Sequence, residues 1–319
     1  MLRDKVFQMF ITGTGKHLDY ELANGLGGVI FFTRDIDSES QFTDLINNIK
    51  SVAKYPPFLS IDQEGGRVER TENLHPRFKS PKDAFESGEE FLTNQTGVML
   101  DELLKYGINM NFAPCLDVNS NPDNPIIGER AFSDCPEDVI KGFDIVQRVY
   151  KEKKIIPVVK HFPGHGDADK DSHKELPQIN LGLPEFEKTH IYPFKHAIEK
   201  GVEAVMVAHL YCPCFDNDIR PTSLSKNCID YLRKTLGFDG VVVSDDMFMK
   251  GVAKYGMTQA CVMGIKAGIN LFIYRDASDE TLNVIEDIVR LAETDDEIRN
   301  CVEASYSKIS DLKKKYLIG

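Results

Sequence analysis

Short apolar runs, rich in β-branched and aromatic residues, alternate along the chain with longer stretches in which charged and apolar residues mix. Runs of the first kind predict buried strands, and stretches of the second kind predict amphipathic helices. Helical stretches cover residues 38–54, 136–154 and 183–201, and one or two closing helices are expected after residue 276. The predicted strands are residues 5–12, 27–33, 57–62, 108–114, 156–161, 203–209, 240–245 and 269–274.

Eight strands joined by helical connections are typical of a closed (β/α)8 barrel, the TIM-barrel architecture. A doubly wound open sheet is the alternative, and it would place a glycine-rich fingerprint directly after the first strand. The sequence TGTGKH at residues 12–17 matches that fingerprint poorly. Because no linker, low-complexity tract or break in composition divides the chain, we predict a single-domain TIM barrel over residues 1–319.

Composition and charge narrow the range of partners. The formal net charge of −12 argues against nucleic acid, whose phosphates need clustered Lys and Arg. No stretch approaches the ~18 consecutive apolar residues of a membrane span, so no membrane partner is predicted. The N-terminus lacks the small-residue cleavage site of a signal peptide and is interpreted as a strand. Of seven scattered cysteines only Cys212 and Cys214 lie close together, so we expect reduced thiols in a cytoplasmic protein.

Polar side chains stand at the ends of several predicted strands. Strand three ends at Asp62, strand five at Lys160 and His161, and strand seven at Ser244 and Asp245. The carboxyl ends of the strands build the active site of a TIM barrel, so these side chains would meet at one face. Each also has a structural explanation, such as a helix cap, a turn or half of a buried ion pair. Their joint placement favours a functional site.

The stretch HFPGHGDADKDSH, residues 161–173, follows the fifth predicted strand. Gly164 and Gly166 give this loop backbone conformations that are closed to other residues. Asp171 and His173 are two positions apart, so in an extended segment their side chains share one face. A carboxylate beside an imidazole favours the protonated ring, which suits a general acid near neutral pH. The alternative explanation of His173 is a solvated loop histidine.

The same cluster of histidines and aspartates could bind a metal ion, as in metal-dependent TIM-barrel hydrolases. Those enzymes usually carry a His-x-His pair at the end of the first strand, whereas this chain has His17 alone there. Asp245 on the seventh strand is also not at the expected position of their last ligand. A metal-dependent hydrolase that uses the loop histidines and aspartates stays open as the alternative function.

A set of motifs in chain order carries a family resemblance. The motifs are IDQEGGRVER, APCLDVN, NPIIGERAFS, KHFPGHGDADKDSH, ELP, VMVAHL, PTSLS and GVVVSDDMFMKGV. Together they resemble the family 3 glycoside hydrolases, and more narrowly the single-domain bacterial β-N-acetylglucosaminidases of cell-wall recycling. The resemblance extends from Gly27 to Asn270, and the KHFPGH…DSH loop is its most specific part.

The resemblance implies a retaining exo-β-N-acetylglucosaminidase that hydrolyses terminal GlcNAc from peptidoglycan fragments with neither a metal nor a cofactor. Asp245 matches the nucleophile that would form a covalent glycosyl-enzyme, and His173, assisted by Asp171, matches the acid/base. The residues that match sugar-holding positions are Asp62, Arg70, Arg130, Lys160 and His161. Asp246 is the poorer nucleophile candidate because neighbouring strand residues face opposite ways. The expected partner is therefore a small carbohydrate, and a monomer is expected.

Two further functions stay open. Transfer of the sugar to phosphate instead of water is conceivable, because a neutral imidazole repels an incoming anion less than a carboxylate does. A non-catalytic sugar-binding protein is the other, although binding alone would need neither Asp245 nor the Asp171–His173 pair. Departures from the family pattern at Thr71 and Phe248 leave the leaving-group side of the substrate undefined.

Overall fold

The computed structural model describes residues 1–168 and 176–318, so the predicted acid/base pair, Asp171 and His173, lies outside the described residues. Within these two ranges, eight parallel strands pair in chain order and close into one barrel. The strands are β1 (Phe10–Thr12), β2 (Gly28–Phe31), β3 (Phe58–Ile61), β4 (Met110–Asn111), β5 (Ile156–Phe162), β6 (Ala204–Val207), β7 (Val241–Asp246) and β8 (Leu271–Tyr274). The pairing of β8 with β1 closes the ring, and the predicted TIM barrel is confirmed.

Helices connect the strands, as the mixed charged and apolar stretches predict. The α-helices of the described residues are α1 (Leu2–Phe7), α2 (Leu18–Ala23), α3 (Glu39–Val52), α4 (Pro81–Glu86), α5 (Glu89–Lys105), α6 (Pro136–Lys153), α7 (Leu183–Phe186), α8 (Tyr192–Glu199), α9 (Lys226–Asp230), α10 (Lys250–Ala253), α11 (Met257–Ala267), α12 (Asp279–Thr294) and α13 (Asp296–Tyr316). Short 3-10 turns and π-helical turns supplement them at Thr33–Asp35, Gly128–Arg130, Glu187–Ile191, Thr222–Leu224 and Tyr231–Thr235. None of the helices in residues 1–168 and 176–318 is both long and apolar enough to cross a bilayer.

The predictions for the longer helices hold. Helices α3 and α6 occupy the stretches predicted at residues 38–54 and 136–154, and α7 and α8 share the stretch at 183–201. The closing segment after residue 276 forms two helices, α12 and α13. Their starts follow from local sequence: the Oγ atoms of Ser38 and Ser278 accept hydrogen bonds from backbone N–H groups in the first turns of α3 and α12.

The start of the chain differs from the prediction of a strand over residues 5–12. Residues up to Phe7 form α1, and β1 begins only at Phe10. Val6 and Phe7 are buried on α1, and Arg3 on the same helix pairs with Glu286 of α12 at 2.6 Å. A short apolar run fits either a strand or one face of a short helix, and here packing against the closing helices selects the helix.

The strands are buried along their length, with one exception at the end of β7. Asp245 and Asp246, the last two residues of that strand, are half-buried. The apolar core is continuous from the barrel to the surrounding helices, and its strand residues include Phe10, Val29, Leu59, Met110, Val158, Val205, Val242 and Phe272. The carboxyl ends of the strands are therefore the polar end of an otherwise apolar barrel, which is where a TIM barrel places its chemistry.

Candidate active site

A cavity of about 220 Å³ opens at the carboxyl ends of the barrel strands. It is lined by residues that end or follow β2, β3, β5, β7 and β8, together with parts of the loop after β4. Every predicted site residue that the structure describes lines this cavity: Asp62, Arg70, Arg130, Lys160, His161 and Asp245. Asp171 and His173 lie outside the described residues, so their pairing and their relation to the cavity stay predictions.

A chain of buried opposite charges forms the floor of the cavity. Lys160 Nζ lies 2.7 Å from Asp62 Oδ1 and 2.6 Å from Glu64 Oε1. Arg130 approaches Glu64 with two nitrogens, Nε at 2.9 Å and Nη2 at 2.8 Å. Buried charges are tolerated when they are paired and hydrogen-bonded, and each of these four groups has a partner of opposite charge.

Glu64 lies at the centre of this chain of charges, although it was not among the site residues predicted from the sequence. Burial alone would raise the pKa of Glu64, but the charges of Arg130 and Lys160 hold it well below the ordinary range. The pKa of Lys160 is raised, because Asp62 and Glu64 outweigh the opposite effect of burial. A signal was present, since Glu64 is two positions after Asp62 and side chains at that spacing can share one side of an extended segment.

Asp62 connects the buried charges to the cavity wall. Its Oδ2 atom lies 3.9 Å from Arg70 Nη2, while its Oδ1 atom accepts from Lys160. The Arg70 guanidinium also lies over the ring of Phe32, 5.7 Å from the ring centroid. Asp62 and Arg70 both keep part of their side chains exposed, so each can contact a bound molecule. A carboxylate that accepts from hydroxyl groups, next to a guanidinium that donates, is suited to a sugar.

His161 is held by Asp117, a fully buried residue in the loop after β4. Asp117 Oδ2 accepts from His161 Nδ1 at 2.6 Å, and Arg130 Nη2 donates towards His161 Nε2 at 3.3 Å. This arrangement places the ring proton on Nδ1 and leaves Nε2 as the acceptor for Arg130. Burial would raise the pKa of Asp117, but His161 and its other donors hold it well below the ordinary range.

Asp117 also anchors the start of the loop after β5. Its Oδ1 atom accepts from the backbone N–H of His165 at 2.6 Å. His165 is fully buried, and burial lowers the pKa of its ring to about 4 against the opposite pull of Asp117. Gly166 packs so tightly that a Cβ atom there would lie 1.6 Å from the carbonyl oxygen of Val118. The glycine at this position therefore permits close packing of the loop base against the segment after β4.

Asp245 and Asp246, at the end of β7, both line the cavity, whereas only Asp245 was predicted from the sequence to face it. The register of β7 against β8 shifts between Val243 and Asp246, so the strict alternation of strand side chains does not hold there. Asp246 pairs with Arg275 Nε at 2.9 Å. Burial raises the pKa of Asp246 to about 6, an effect that Arg275 opposes and the charge of Asp245 adds to. Arg275, at the end of β8, was not singled out from the sequence.

Cys115, Asp117 and His161 are the one group of three metal-type ligands found within the described part of the chain. Their donor atoms lie within 4.8 Å of one another. All three are buried, and Asp117 accepts from both others, from Cys115 Sγ at 3.0 Å and from His161 Nδ1 at 2.6 Å. This group differs from the loop cluster of the metal-dependent alternative, and its geometry is that of a hydrogen-bonded network around one carboxylate.

The chain is similar in sequence to known glycoside hydrolases. The model of the glycosyl hydrolase family 3 N terminal domain matches residues 1–312. Among similar sequences, Beta-hexosaminidase A of Pseudoalteromonas piscicida is 33% identical over 273 residues, which cover 77% of this chain and 45% of that protein. Beta-hexosaminidase of Nitrosomonas eutropha is 31% identical over 273 residues, which cover 82% of this chain and 78% of that protein.

Solved structures give the same picture at the level of the fold and family. A glycoside hydrolase family 3 β-N-acetylglucosaminidase from Paenibacillus sp. str. FPU-7 superposes with a TM-score of 0.93 at 30% identity, over 100% of this chain and 63% of that one. A glycosyl hydrolase of family GH3 from Mycobacterium smegmatis superposes with a TM-score of 0.88 at 25% identity, over 98% and 97%. This chain thus spans less than half of the Pseudoalteromonas relative and somewhat under two thirds of the Paenibacillus structure. The chain belongs to glycosyl hydrolase family 3.

Proposed function

We propose that this protein is a retaining exo-β-N-acetylglucosaminidase, a β-N-acetylhexosaminidase that hydrolyses terminal GlcNAc. The observation that carries the proposal is a single cavity lined both by Asp245 and by the charged cluster of Asp62, Arg130, Lys160 and His161. A carboxylate that can attack a sugar thus shares a cavity with groups that can hold its hydroxyls. The printed names of the Nitrosomonas and Paenibacillus relatives support an N-acetylhexosamine as the sugar.

The size of the cavity supports an exo mode of action. Its volume of about 220 Å³ is smaller than the ~300–1,000 Å³ of pockets that enclose drug-sized ligands. A cavity of this size suits one terminal sugar ring better than a stretch of polysaccharide. The charges on its floor are fixed before substrate arrives, since Lys160 and Glu64 are paired at 2.6 Å, and such preorganisation lowers the cost of orienting the ring.

In the proposed reaction, the Asp245 carboxylate attacks the anomeric carbon, and the bond from that carbon to the leaving oxygen breaks. His173 donates a proton to the leaving oxygen, which leaves a glycosyl ester on Asp245. His173 then takes a proton from water as the water attacks the same carbon and releases Asp245. Two displacements on one carbon retain its configuration.

Asp171 is proposed to orient His173 and to favour the protonated form of its ring. An imidazole acid changes the usual scheme, in which two carboxylates at a defined separation fix the stereochemical outcome. Retention therefore rests on the nucleophilic role of Asp245 and not on a carboxylate spacing. The charged floor would bind the ring through Asp62, Arg70, Arg130, Lys160 and His161.

The natural substrates that we propose are peptidoglycan fragments that end in β-linked GlcNAc. We further propose that the enzyme acts as a cytoplasmic monomer and needs neither a metal nor an organic cofactor. These statements rest on the resemblance of the motifs to the cell-wall recycling enzymes and on the carboxylate and imidazole chemistry, which is sufficient for glycoside hydrolysis.

The first experiment compares a chromogenic β-N-acetylglucosaminide with the matching β-glucoside, with chelator present. Release of the chromophore from the first substrate is expected, and the Asp245→Asn variant should lose activity by about 10³-fold or more because the nucleophile is gone. Asp239→Asn is a matched control, since Asp239 is an exposed aspartate just before the opposite end of β7. Wild-type activity in that variant is expected.

Three outcomes would contradict the proposal. Normal turnover by Asp245→Asn would exclude Asp245 as the nucleophile. Activity that appears only when a divalent metal is added back would support the metal-dependent hydrolase. Binding of GlcNAc without turnover of any β-N-acetylglucosaminide would support the non-catalytic alternative. Analysis of the product with phosphate present then separates release of free GlcNAc from transfer to phosphate.

A further inference from the structure

The second carboxylate at the end of β7 has no part in the reaction proposed above, although it lines the same cavity. The backbone N–H of Asp246 donates to Asp245 Oδ1 at 2.7 Å. One oxygen of the proposed nucleophile is therefore fixed by the residue that follows it. The position of that N–H depends on where the end of β7 is held.

The side chain of Asp246 ties the end of β7 to the next strand. Its Oδ2 atom pairs with Arg275 Nε at 2.9 Å, and Arg275 directly follows β8. Its Oδ1 atom accepts from the backbone N–H of Phe248 at 3.0 Å and from that of Arg275 at 3.4 Å. These contacts lie beside the register shift between Val243 and Asp246, and they supplement the pairing of Asp246 with Ile273 that resumes beyond it.

We propose that Asp246 and Arg275 form a positioning pair for Asp245: their ion pair holds the end of β7 so that the Asp246 N–H fixes Oδ1 of the nucleophile. This inference rests on the proposed function, since it assigns a supporting role around the same nucleophile. Arg275 acts only through Asp246, and neither residue is assigned a bond to the reacting atoms. Arg275 also lies over the Phe248 ring, 5.6 Å from its centroid, which restricts its side chain.

The ionisation of Asp246 depends on its partner Arg275. On its own strand, Asp246 faces the carboxylate of Asp245, and across from it lie Tyr274 of β8 and Arg275, which directly follows β8. The imidazole of His209 is also near, with its Nε2 atom 3.2 Å from the Asp246 carbonyl oxygen. Burial and Asp245 both favour the neutral carboxyl, and Arg275 opposes them. Loss of Arg275 should therefore let Asp246 take up a proton at a pH where the wild type is ionised.

Without the Arg275 side chain, a protonated Asp246 is also a weaker acceptor for the two backbone N–H groups that still hold it, those of residues 248 and 275. The end of β7 would then be held less firmly to the residue after β8, and the contact from the Asp246 N–H to Asp245 Oδ1 would loosen. The effect on the reaction should appear in kcat more than in KM, because the groups on the cavity floor that bind the sugar are unchanged.

The test measures kcat and KM for the chromogenic β-N-acetylglucosaminide from pH 5.5 to 8.5 in the wild type and five variants. For Arg275→Met we expect a loss in kcat of about tenfold or more near pH 6, with a change in KM of less than about threefold. The loss should shrink towards pH 8.5, where Asp246 ionises without its partner. Arg275→Lys should recover most of the loss, because a lysine supplies the charge but not the same fork of donors.

Asp246→Asn and the double variant complete a cycle. Asp246→Asn should lower kcat at every pH, and adding Arg275→Met should cause no further loss, because the arginine would act only through the missing charge. Arg290→Met is the matched control, since Arg290 is an exposed arginine on α12 that pairs with Asp287 and does not line the cavity. Its pH profile should match that of the wild type.

The inference is overturned if Arg275→Met keeps the wild-type kcat near pH 6, or if its loss is equal at all pH values and adds fully to that of Asp246→Asn. A merely structural role would lower thermal stability without the pH-dependent part of the loss. Failure of the proposed function is a separate result, because the wild type itself would then not release the chromophore under any of these conditions.

Discussion

Lys160 Nζ lies 2.6 Å from Glu64 Oε1, and neither side chain is more than 2% exposed. A buried ion pair of this kind adds little net stability when intact, but its disruption leaves an uncompensated charge in a medium of low dielectric constant. The same Glu64 carboxylate also pairs with Arg130, so its single charge balances parts of two cations beneath the proposed sugar site.

The Glu64→Gln variant should therefore be less stable by about 3 kcal/mol, because the amide keeps the shape of the carboxylate but not its charge. Urea denaturation of both proteins at neutral pH measures the difference. Glu86→Gln is the matched control, since Glu86 is exposed at the end of α4 and a change within about 0.5 kcal/mol is expected there. An unfolding free energy for Glu64→Gln within that same margin would contradict the prediction.

Asp117 gives a second prediction, which concerns catalysis more than stability. Asp117→Asn removes the charge that receives the Nδ1 proton of His161 and the N–H of His165. The His161 ring can then adopt the other tautomer or orientation, and we expect kcat/KM for the β-N-acetylglucosaminide to fall by about 10- to 100-fold. Asp123→Asn, in the same loop but exposed, should behave as wild type. Equal activity of the two variants would show that Asp117 does not orient His161.

The base of the loop after β5 gives a third prediction. Gly166→Ala would bring a Cβ atom to 1.6 Å from the Val118 carbonyl oxygen, so the backbone at residue 166 must move. Because His173 is predicted on the segment that follows, kcat should fall by about tenfold or more while binding of GlcNAc changes little. Gly182→Ala is the matched control, since the nearest atom to an added Cβ there is 4.0 Å away. A normal kcat for Gly166→Ala would separate the loop base from catalysis.

The sequence predicted the barrel well because its strands are short, buried and rich in β-branched residues. Strand β5 was predicted at residues 156–161 and is observed at Ile156–Phe162. The prediction of a strand at the start of the chain was wrong, because the apolar run at Val6 and Phe7 fits a helix face as well as a strand. Only packing against α12 and α13 selects the helix over the strand, and these two helices lie more than 270 residues further along the sequence.

The candidate site shows a similar division. Asp62, Lys160 and Asp245 were predicted to meet because each stands where a strand ends, and all three line one cavity. Glu64 was missed because its role is set by Arg130, which is 66 positions away in the sequence. Asp246 was expected to face away from the cavity, because side chains alternate along a regular strand. The register shift between β7 and β8 breaks this alternation, and the pattern of apolar and polar residues does not reveal such a shift.

Lys313 gives the last prediction, at a place that the reaction does not use. Its Nζ atom donates to Gln8 Oε1 at 2.8 Å and to the Pro56 carbonyl oxygen at 2.9 Å, and the side chain is 3% exposed. Burial lowers the pKa of Lys313 from 10.5 to about 7. Between these values the unfolded chain binds a proton that the folded chain does not, so the contribution of Lys313 to stability rises with pH. The free-energy cost of burying the Lys313 amine is therefore full below pH 7 and absent above pH 10.5.

Replacement by methionine removes this titration while filling a similar volume. The unfolding free energy of the wild type minus that of Lys313→Met should therefore rise between pH 7 and pH 10, by at most about 1.4 kcal/mol per pH unit, and should be flat from pH 5.5 to pH 6.5. Urea denaturation at four pH values measures this difference. The two hydrogen bonds lost with the amine give a constant offset, so the slope and not the offset is the test. Lys314→Met, on the exposed side of α13, should show no slope, and a flat difference for Lys313→Met as well would mean that the amine stays protonated in the folded protein.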